Sequence, residues 1–219
     1  EMIRRYVALE NARALDVGCG IGAYVEKFAA LGARAFGVDV DAEKLVEARR
    51  DKNILLLACA VSETLPFPND AFDAVLLHEV IEHVADDAQT IREAQRVCRR
   101  GGRVIVFAPN RLYPFETHGA YFGKRYVFGN IPLIGYLPDV LRARFAPHVR
   151  AYTARDLRAL FAGLDGALLV HTQIFPGYDK IARRRASLAR VLRGVTYLME
   201  RTPLRALGLS HFVVWQKSL

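Results

Sequence analysis

Short apolar runs alternate with amphipathic segments through the first half of the chain. Five of these runs have the length of buried strands: 13–17, 34–39, 53–59, 73–78 and 103–108. The segments between several of them place apolar residues three and four positions apart, which is the spacing of a helix that covers a core. Strands and helices that alternate in this way predict βαβ units and a parallel sheet covered by helices on both faces.

Polar and glycine residues mark where the predicted helices begin and end. Three helices are predicted in this half, over 23–31, 42–50 and 86–100. Gly32 is placed to end the first, Asp41 to cap the start of the second, and Gly101–Gly102 to stop the third.

The alternating pattern breaks after residue 110 and returns near residue 153. Residues 111–150 contain four prolines and many aromatic residues without a sustained period, which favours a lid or a substrate-binding insertion. Thr153 and Asp156 have the spacing of a capping box. The pattern then predicts a helix, a strand, a second helix and a closing strand, over 154–164, 167–175, 179–200 and 211–217.

The charge of the chain is positive, and arginine is concentrated late in the sequence. The 219 residues carry 31 Lys and Arg against 23 Asp and Glu, a net charge of +8 with a pI near 9.6. Such an excess favours an anionic partner, which could be nucleic acid, a phospholipid surface or an acidic substrate. An ordinary solvated face explains it about as well.

Other features of the composition narrow the class of protein. No apolar run approaches the ~20 residues of a membrane span. The three cysteines, Cys19, Cys59 and Cys98, lack metal-ligand spacing, and we interpret them as small buried residues that stay reduced in a cytoplasmic protein. The chain begins at Glu1 rather than at Met, which is consistent with a trimmed N-terminus.

A glycine-rich stretch, LDVGCGIGAY, directly follows the first predicted strand. In an open parallel sheet this loop forms a wall of the ligand crevice. Its spacing is G-x-G-x-G rather than the G-x-G-x-x-G of dinucleotide-binding proteins, and Asp16 before it suits an ammonium group better than a pyrophosphate. Asp39 ends the second strand about 20 residues later, where a carboxylate can accept hydrogen bonds from ribose hydroxyls. The loop favours an adenosine ligand that carries a positive charge.

Four ordered segments resemble the successive motifs of class I S-adenosylmethionine-dependent methyltransferases: LDVGCGIGAY, GVDVDAEKLVEAR, LPFPNDAFDAVLLHEVIEHV and EAQRVCRRGGRVIVFAPN. The nearest branch is the one that contains the ubiquinone and menaquinone methyltransferases. The resemblance implies an α/β, Rossmann-like fold with a seven-stranded, mostly parallel sheet, helices on both faces and an antiparallel last strand. It also implies S-adenosyl-L-methionine as the cofactor.

The resemblance covers roughly residues 13–110. We therefore expect one methyltransferase domain over 1–219, in which 13–110 form the cofactor-binding core. In this interpretation 111–150 are the substrate or lid insertion, and 178–210 are a helical insertion before the last strand.

The resemblance further implies ten cofactor-binding residues: Asp16, Gly18, Cys19, Gly20, Gly22, Asp39, Val40, Val61, Ser62 and His78. Asp16 and the glycine loop would hold the methionine end of the cofactor, and Asp39 its ribose. Val40 would pack on the adenine, with Val61 and Ser62 at its edge, and His78 would contribute mainly backbone. Members of the family often have Asp where this chain has Val61, so the hydrogen bond to the adenine amino group would be lost or come from the backbone.

Methyl transfer from a sulfonium needs positioning and the exclusion of water, and a hydroxyl acceptor also needs a base. Histidine is the natural base near neutral pH. His118 is the first candidate for a catalytic base and His83 the second, with His148 a further candidate. His118 follows the fifth strand together with Asn110, Arg111 and Glu116, whereas His171 and His211 have strand patterns and are expected to be structural.

The stretch EVIEHV, at 79–84, has the spacing of a short helix. A helix would place Glu79 and His83 on one face, where the carboxylate could orient the imidazole or serve a structural bond. Glu79, Glu82 and His83 could also be metal ligands, but helical geometry cannot aim all three at one ion. No metal site is therefore predicted.

The leading hypothesis is methyl transfer to a small-molecule hydroxyl, with a lipid-like or quinone-precursor acceptor. The alternatives are a catalytically silent interaction module with a methyltransferase fold, and a methyltransferase that acts on nucleic acid or on nitrogen. No nucleic-acid partner is expected, because the fourth strand is not followed by the Pro-Pro-aromatic motif of enzymes that flip a base. The helix predicted at 179–200 combines an apolar stripe with arginines. This indicates peripheral contact with an anionic membrane or, on the plainer interpretation, a packed helix with a solvated basic face.

Overall fold

The computed structural model describes residues 2–52, 54 and 56–219, apart from the side chain of Lys180. These residues form two compact units. The first contains the chain up to Phe107 together with Leu157–His171 and Val213–Leu219, and the second contains Ala108–Asp156 and Thr172–Phe212. In the described part of the chain, no helix is long and apolar enough to span a membrane.

The helices and strands follow the predicted alternation. The strands are β1 Arg13–Val17, β2 Arg34–Asp39, β3 Leu57–Cys59, β4 Phe72–His78, β5 Cys98–Pro109, β6 Phe115–Glu116, β7 Ala120–Phe122, β8 Arg125–Val127, β9 Ile131–Pro132, β10 Gly166–Ile174 and β11 Ser210–Lys217. The α-helices are α1 Ala23–Ala30, α2 Ala42–Lys52, α3 Asp87–Val97, α4 Asp139–Phe145, α5 Ala154–Ala159, α6 Asp179–Ala182 and α7 Ala186–Met199.

Seven strands form one sheet in the order β10-β11-β5-β4-β1-β2-β3. Strand β1 is parallel to both of its neighbours, with Leu15 opposite Phe36 of β2 and Val75 of β4. Strand β11 runs antiparallel to β5, since Gly101 N–H bonds to the carbonyl of Ser218 at one end and Asn110 N–H to that of Leu209 at the other. The predicted fold class is confirmed.

The strand order reverses beside β1. The chain runs outward from β1 through β2 to β3 and then returns to β4 on the other side of β1. Ligands of open α/β sheets bind at such a switch point, beyond the carboxyl ends of the strands. The topology therefore places the candidate site after β1 and β4.

The central strands are buried on both faces. Successive side chains of a strand point to opposite faces, and Leu76 and Leu77 of β4 are fully buried, as are Ile105 and Val106 of β5. Such strands need nearly continuous apolar runs, which explains the pattern read from the sequence.

Local capping chemistry also agrees with the predictions. Asp41 Oδ1 accepts two backbone N–H groups from the first turn of α2, at 3.1 and 3.2 Å. Thr153 and Asp156 form the reciprocal box, with Thr153 N–H donating to Asp156 Oδ2 at 3.0 Å and Asp156 N–H to Thr153 Oγ1 at 3.2 Å. Gly32 follows α1 with a φ of 83°, as a helix-ending glycine does.

The predicted helix over 86–100 is too long. Helix α3 ends at Val97, and Cys98–Arg100 belong to β5. Gly101 and Gly102 do not stop a helix; they lie inside the strand at an irregularity in its pairing with β4. A Cβ on Gly102 would lie 2.8 Å from the carbonyl oxygen of Arg99, so close backbone approach explains this glycine.

The predicted helix over 179–200 is two helices, α6 and α7. Arg185 precedes α7 with an extended φ of −144°. The Arg193 side chain of α7 contacts the start of α6. Its guanidinium donates to the carbonyl of Gly177 at 2.6 Å and to Asp179 Oδ1 at 2.8 Å. The helix predicted over 154–164 likewise ends early, at Ala159.

The third strand is shorter than predicted. Strand β3 covers Leu57–Cys59, and Asn53 and Leu55 of the predicted strand lie outside the described residues. The prediction of three buried cysteines is wrong for Cys59, which is exposed because β3 is the edge strand, whereas Cys19 and Cys98 are buried.

The second unit has a small core of its own. Strands β6 and β9 form one antiparallel pair, and β7 and β8 form another. The buried cluster consists of Ala120, Ile134, Ala146 and Val149. Asn110 Nδ2 donates to the carbonyls of Ala206 at 2.8 Å and Gly208 at 2.7 Å, which ties the start of this unit to the segment after α7.

We expect the substitution Gly37→Ala to destabilise the protein. A Cβ at this position in β2 would lie 2.7 Å from Cys19 Sγ and 2.8 Å from Leu57 Cδ2, and overpacking costs about 1–3 kcal/mol. Gly194→Ala is the matched control, because nothing lies within 4 Å of the added carbon in α7. There the better helix former should add up to about 1 kcal/mol. Urea unfolding followed by circular dichroism measures both; effects of the same sign would contradict the packing constraint.

Candidate functional site

The loop between β1 and α1 brings the backbone of three glycines to the switch point. Gly18, Gly20 and Gly22 have φ values of 68°, 51° and 75°, a region that glycine adopts readily. A Cβ on Gly18 would lie 2.6 Å from Val80 Cγ2, and one on Gly22 would lie 2.3 Å from Ile54 Cδ1. At Gly20 the nearest such atom is 3.9 Å away, and this residue lines a cavity. Packing thus explains two of the glycines, while Gly20 leaves its backbone accessible to a ligand.

The Asp39 carboxylate at the end of β2 is oriented by two backbone amides. Oδ2 accepts a hydrogen bond from Gly20 N–H at 2.7 Å, and Oδ1 accepts one from Asp41 N–H at 2.9 Å. Each carboxylate oxygen can accept a further hydrogen bond. The arrangement suits a ligand with two adjacent donors, such as vicinal hydroxyls.

A cavity of about 570 Å³ lies in the first unit beside the glycine loop. This volume is within the range of small-molecule sites. Six of the ten predicted cofactor residues line it: Gly18, Gly20, Asp39, Val40, Val61 and Ser62. The side chains of Val40 and Val61 are exposed, so the cavity wall offers apolar surface beside the Asp39 carboxylate.

Three other predicted residues support this wall without lining it. Cys19 is buried, and burial raises the pKa of its thiol to about 12. Gly22 is the N-terminal cap residue of α1. The His78 ring lies 4.8 Å from those of Tyr24 and Phe107, and burial lowers its pKa; a cofactor contact through its backbone stays a prediction.

Asp16 is a buried carboxyl in β1, directly before the cavity-lining residues Val17 and Gly18. Burial raises its pKa to about 8, and the negative charge of Asp39 contributes to the shift. The carboxyl is therefore mostly protonated at neutral pH. A cation placed beside it would favour the ionised form.

Several residues of the cavity wall were not predicted from the sequence to contact the cofactor: Lys44, Glu63, Glu79, Val80, Val84 and Ala85. Glu63 connects its own loop to the loop before α3, since its Oε1 accepts the N–H groups of Ala85 at 2.9 Å and Asp86 at 3.3 Å. Glu79 was considered only as a partner of His83 or as a metal ligand, although its position directly after β4 was a signal for the cavity wall. No motif marks Glu63.

The stretch 79–84 is not a helix, and the predicted helical face with Glu79 and His83 is wrong. Glu79 has a left-handed φ of 56° and its N–H bonds to the carbonyl of Phe107, so the chain turns sharply after β4. The following residues form a turn in which His83 N–H bonds to the carbonyl of Val80 at 2.9 Å. The geometric reason given against a metal site therefore fails, and the absence of a metal stays a prediction.

Glu82 and His83 lie next to each other but in different surroundings. His83 lines the cavity, with its Nε2 3.8 Å from Glu82 Oε1. Glu82 is fully buried, and neither of its carboxyl oxygens has a hydrogen-bond partner among the described residues. Burial, together with the charge of Glu79, raises its pKa to about 9, so this carboxyl is neutral at physiological pH.

A second polar cluster, in the second unit, contains His118. Glu116 Oε1 lies 3.2 Å from His118 Nδ1 and also accepts the His118 backbone N–H at 3.1 Å. Glu116 Oε2 accepts a hydrogen bond from Arg142 at 2.9 Å. Burial alone would raise the pKa of the Glu116 carboxyl, but the bonds from His118 and Arg142 outweigh it and hold the pKa below its usual value. Glu116 is therefore an ionised carboxylate that orients the imidazole.

The neighbours predicted to accompany His118 have structural contacts. Arg111 donates to the carbonyls of Gly135 and Leu137, and Asn110 bonds to the segment after α7.

Two other histidines of the second unit have backbone contacts. His211 is buried with Nε2 2.9 Å from the carbonyl oxygen of Tyr152. His148 Nε2 lies 3.2 Å from the carbonyl oxygen of His118, so it contacts the same cluster.

Comparison with known proteins agrees with this geometry. A family model described as a methyltransferase domain matches residues 15–106. The chain is 36% identical over 128 residues to the ubiquinone biosynthesis O-methyltransferase of Rhodopseudomonas palustris strain BisB18, covering 57% of this chain and 50% of that protein. It is 30% identical over 192 residues to the enzyme of the same name from Sodalis glossinidius, covering 78% of this chain and 77% of that protein. The chain thus spans about half the length of the first of these relatives and three quarters of the second.

The fold also matches a solved structure along nearly its whole length. An S-adenosylmethionine-dependent methyltransferase from Mesorhizobium loti superposes with a TM-score of 0.69 at 17% identity, covering 99% of this chain and 95% of that one. At this identity the match supports the fold, and the family follows from the sequence relatives. The chain belongs to the class I S-adenosylmethionine-dependent methyltransferases, in the branch of the ubiquinone O-methyltransferases.

Proposed function

We propose that this protein binds S-adenosylmethionine in the cavity of the first unit and transfers its methyl group to a hydroxyl of a small-molecule acceptor. The observation that carries the proposal is the Asp39 carboxylate on the cavity wall. Its two oxygens are oriented by backbone N–H groups at 2.7 and 2.9 Å, so the acceptor for a ribose diol exists before the ligand arrives.

The donor set around the cavity fits the rest of the cofactor. The accessible backbone at Gly20 admits a close ligand, and the exposed Val40 and Val61 suit the faces of a flat apolar ring. Buried Asp16 suits an ammonium group, because the carboxylate form gains a counter-charge there. When bound, S-adenosylmethionine supplies a methyl group that is activated by the positive charge of its sulfonium.

His118 is our first candidate for the base that accepts the hydroxyl proton. With the ionised Glu116 accepting from Nδ1–H, the basic lone pair of the imidazole is on Nε2. The Glu116 carboxylate would also stabilise the imidazolium that forms, as in other carboxylate–histidine pairs. His83 is the second candidate, because it lines the cavity.

The finer proposal concerns the acceptor, for which we favour a phenolic hydroxyl of a quinone precursor. The support is the O-methyltransferase relatives, at 36% and 30% identity. A cytoplasmic location, the absence of a nucleic-acid partner and the division into 13–110, 111–150 and 178–210 stay predictions. The test is a screen of phenol and catechol acceptors with detection of S-adenosylhomocysteine. Absence of cofactor binding in calorimetry would instead favour a silent interaction module.

We expect Asp39→Ala to weaken S-adenosylmethionine binding without unfolding the protein. The loss of a charge-assisted bidentate contact costs about 1.5–3 kcal/mol, which is tenfold or more in Kd. Titration calorimetry measures the effect, and circular dichroism checks the fold. Asp51→Ala, at an exposed position in the last turn of α2, is the matched control and should bind normally. An unchanged Kd in folded Asp39→Ala would remove this residue from the site.

We expect the affinity for S-adenosylmethionine to rise with pH between about pH 6 and pH 7.5, where an α-ammonium stays mostly charged. Asp16 has a pKa of about 8 before binding, so it must lose a proton to pair with the ammonium. Affinity should gain up to about tenfold per pH unit over this range, and binding should release protons to the buffer. Calorimetry in buffers of different ionisation enthalpy measures both effects. Asp16→Asn should bind weakly with a flat pH profile; a flat profile for the wild type would contradict the role of Asp16.

We expect His118→Asn to slow methyl transfer by about 10²–10⁴-fold, which is the usual contribution of a general base. The Kd for S-adenosylmethionine should not change, because all the predicted cofactor residues are in the first unit. Formation of S-adenosylhomocysteine, with the best acceptor of the screen, gives the rate. His171→Asn, at a histidine that bonds to Arg158 in the first unit, should keep the wild-type rate. If His83→Asn is slow and His118→Asn is not, the base is His83.

A further inference from the structure

Helix α7 of the second unit leaves an apolar face uncovered. Leu188, Val191, Val195 and Leu198 are 42%, 63%, 54% and 64% exposed. At about 100° per residue, these four side chains lie within about 80° of one another around the helix. They form a continuous stripe, which we call the α7 stripe.

The α7 stripe is distinct from the side on which the helix packs. The buried residues of α7 are Ala189 and Thr196, which lie about 80–100° around the helix from Leu188. Leu192 and Met199, between the two faces, are half-buried. The apolar surface of α7 is therefore wider than the portion of it that is buried by packing.

Exposed arginines lie before the stripe along the chain, within its length and after it: Arg183, Arg184, Arg185, Arg190, Arg201 and Arg205. In the part of the chain that the structure describes, none of these six is in an ion pair, whereas Arg193 is paired with Asp179 at 2.8 Å. Their charges are thus available to an anionic partner.

The net positive charge of the protein comes entirely from the second unit. Ala108–Asp156 and Thr172–Phe212 carry 15 Lys and Arg against five Asp and Glu, a net charge of +10, whereas the rest of the chain has a net charge of −2. The second unit also holds 16 of the 24 exposed large apolar side chains among the described residues. Charge and exposed apolar surface therefore concentrate in the same unit.

We propose that the α7 stripe and its flanking arginines dock the second unit on an anionic lipid bilayer. An interfacial helix buries an apolar stripe at the boundary of the acyl chains and presents basic residues to the headgroups. Long arginine side chains can extend to that level while the apolar residues lie deeper. The arrangement on α7 supplies both parts.

Charge complementarity favours a bilayer over the other occupants of such a face. A second copy of this chain would bring another unit of the same positive charge to the interface, which costs energy through like-charge repulsion. A nucleic acid would pair with the arginines but would leave the leucines and valines of the stripe in water. An anionic bilayer satisfies the charges and covers the apolar side chains.

The test is co-sedimentation of the full chain with two preparations of vesicles. One contains phosphatidylcholine alone, and the other contains equal parts of phosphatidylcholine and phosphatidylglycerol. The protein should sediment with the anionic vesicles only, and added salt should release it, because the attraction to a charged surface is screened. Protein that stays in the supernatant with both vesicles at low salt would overturn the proposal.

Two variants assign the binding to α7. Val191→Asn with Val195→Asn removes the centre of the stripe and should lower the partition coefficient by about tenfold or more. Val46→Asn, at an exposed valine of α2 in the first unit, is its control. Arg184→Gln with Arg185→Gln should lower binding by about 10- to 25-fold, since each basic residue near an anionic surface contributes about fivefold. Arg49→Gln with Arg50→Gln on α2 is the matched charge control.

Cofactor calorimetry on the same samples shows that each variant is folded, so a loss of vesicle binding is not a loss of structure. Vesicle binding that is equal in the wild type and both α7 variants would overturn the proposal, because another surface would then be responsible. Sedimentation equilibrium without vesicles gives a further outcome: a dimer that Val191→Asn with Val195→Asn dissociates would mean that a second copy covers the stripe.

Discussion

The candidate site depends on one constraint, the reversal of strand order beside β1. It brings the ends of β1, β2 and β4 together, and there the Gly20 N–H donates to Asp39 Oδ2 at 2.7 Å. This bond joins the loop after β1 to the end of β2, so the glycine backbone and the carboxylate hold one geometry. Gly20 has a positive φ of 51°, which glycine adopts readily, and it also lines the cavity. Mispositioning either element would break this hydrogen bond between the loop and β2.

Three buried carboxyl groups have different protonation states because their neighbours differ. In the first unit, Asp16 and Glu82 are buried near other carboxyl groups, and burial is the main cause that raises their pKa values to about 8 and about 9. In the second unit, Glu116 is equally buried but accepts hydrogen bonds from Arg142 and His118, and its pKa is lowered. The first pair are neutral groups that a cation could ionise, whereas Glu116 is a fixed negative charge. Partner geometry, rather than residue type, decides which of these roles a carboxyl has.

The sequence by itself determined the order of the main strands of the large sheet and six residues that line the candidate cavity. Strands β1 and β2 were predicted with their observed bounds, because a buried parallel strand needs a continuous apolar run, and these two runs end at a glycine and at Asp39. The caps at Asp41 and Thr153 were also predictable, since capping involves residues only two or three positions apart. The sheet class followed from the alternation alone. All of these are properties of short segments.

Only the tertiary structure decided what depends on residues distant in the chain. The stretch 79–84 has helical spacing, yet the bond from Glu79 N–H to the carbonyl of Phe107 on β5 turns the chain there. Gly101 and Gly102 resemble a helix stop, but they lie within β5, where a Cβ on Gly102 would approach the backbone of Arg99 and Asp73. The spacing of apolar residues in α7 could not reveal that the fold covers only one side of the helix. In each case, contacts with residues distant in the chain set the local structure. A local sequence pattern cannot show such contacts, because backbone hydrogen bonds and burial join different elements of the fold.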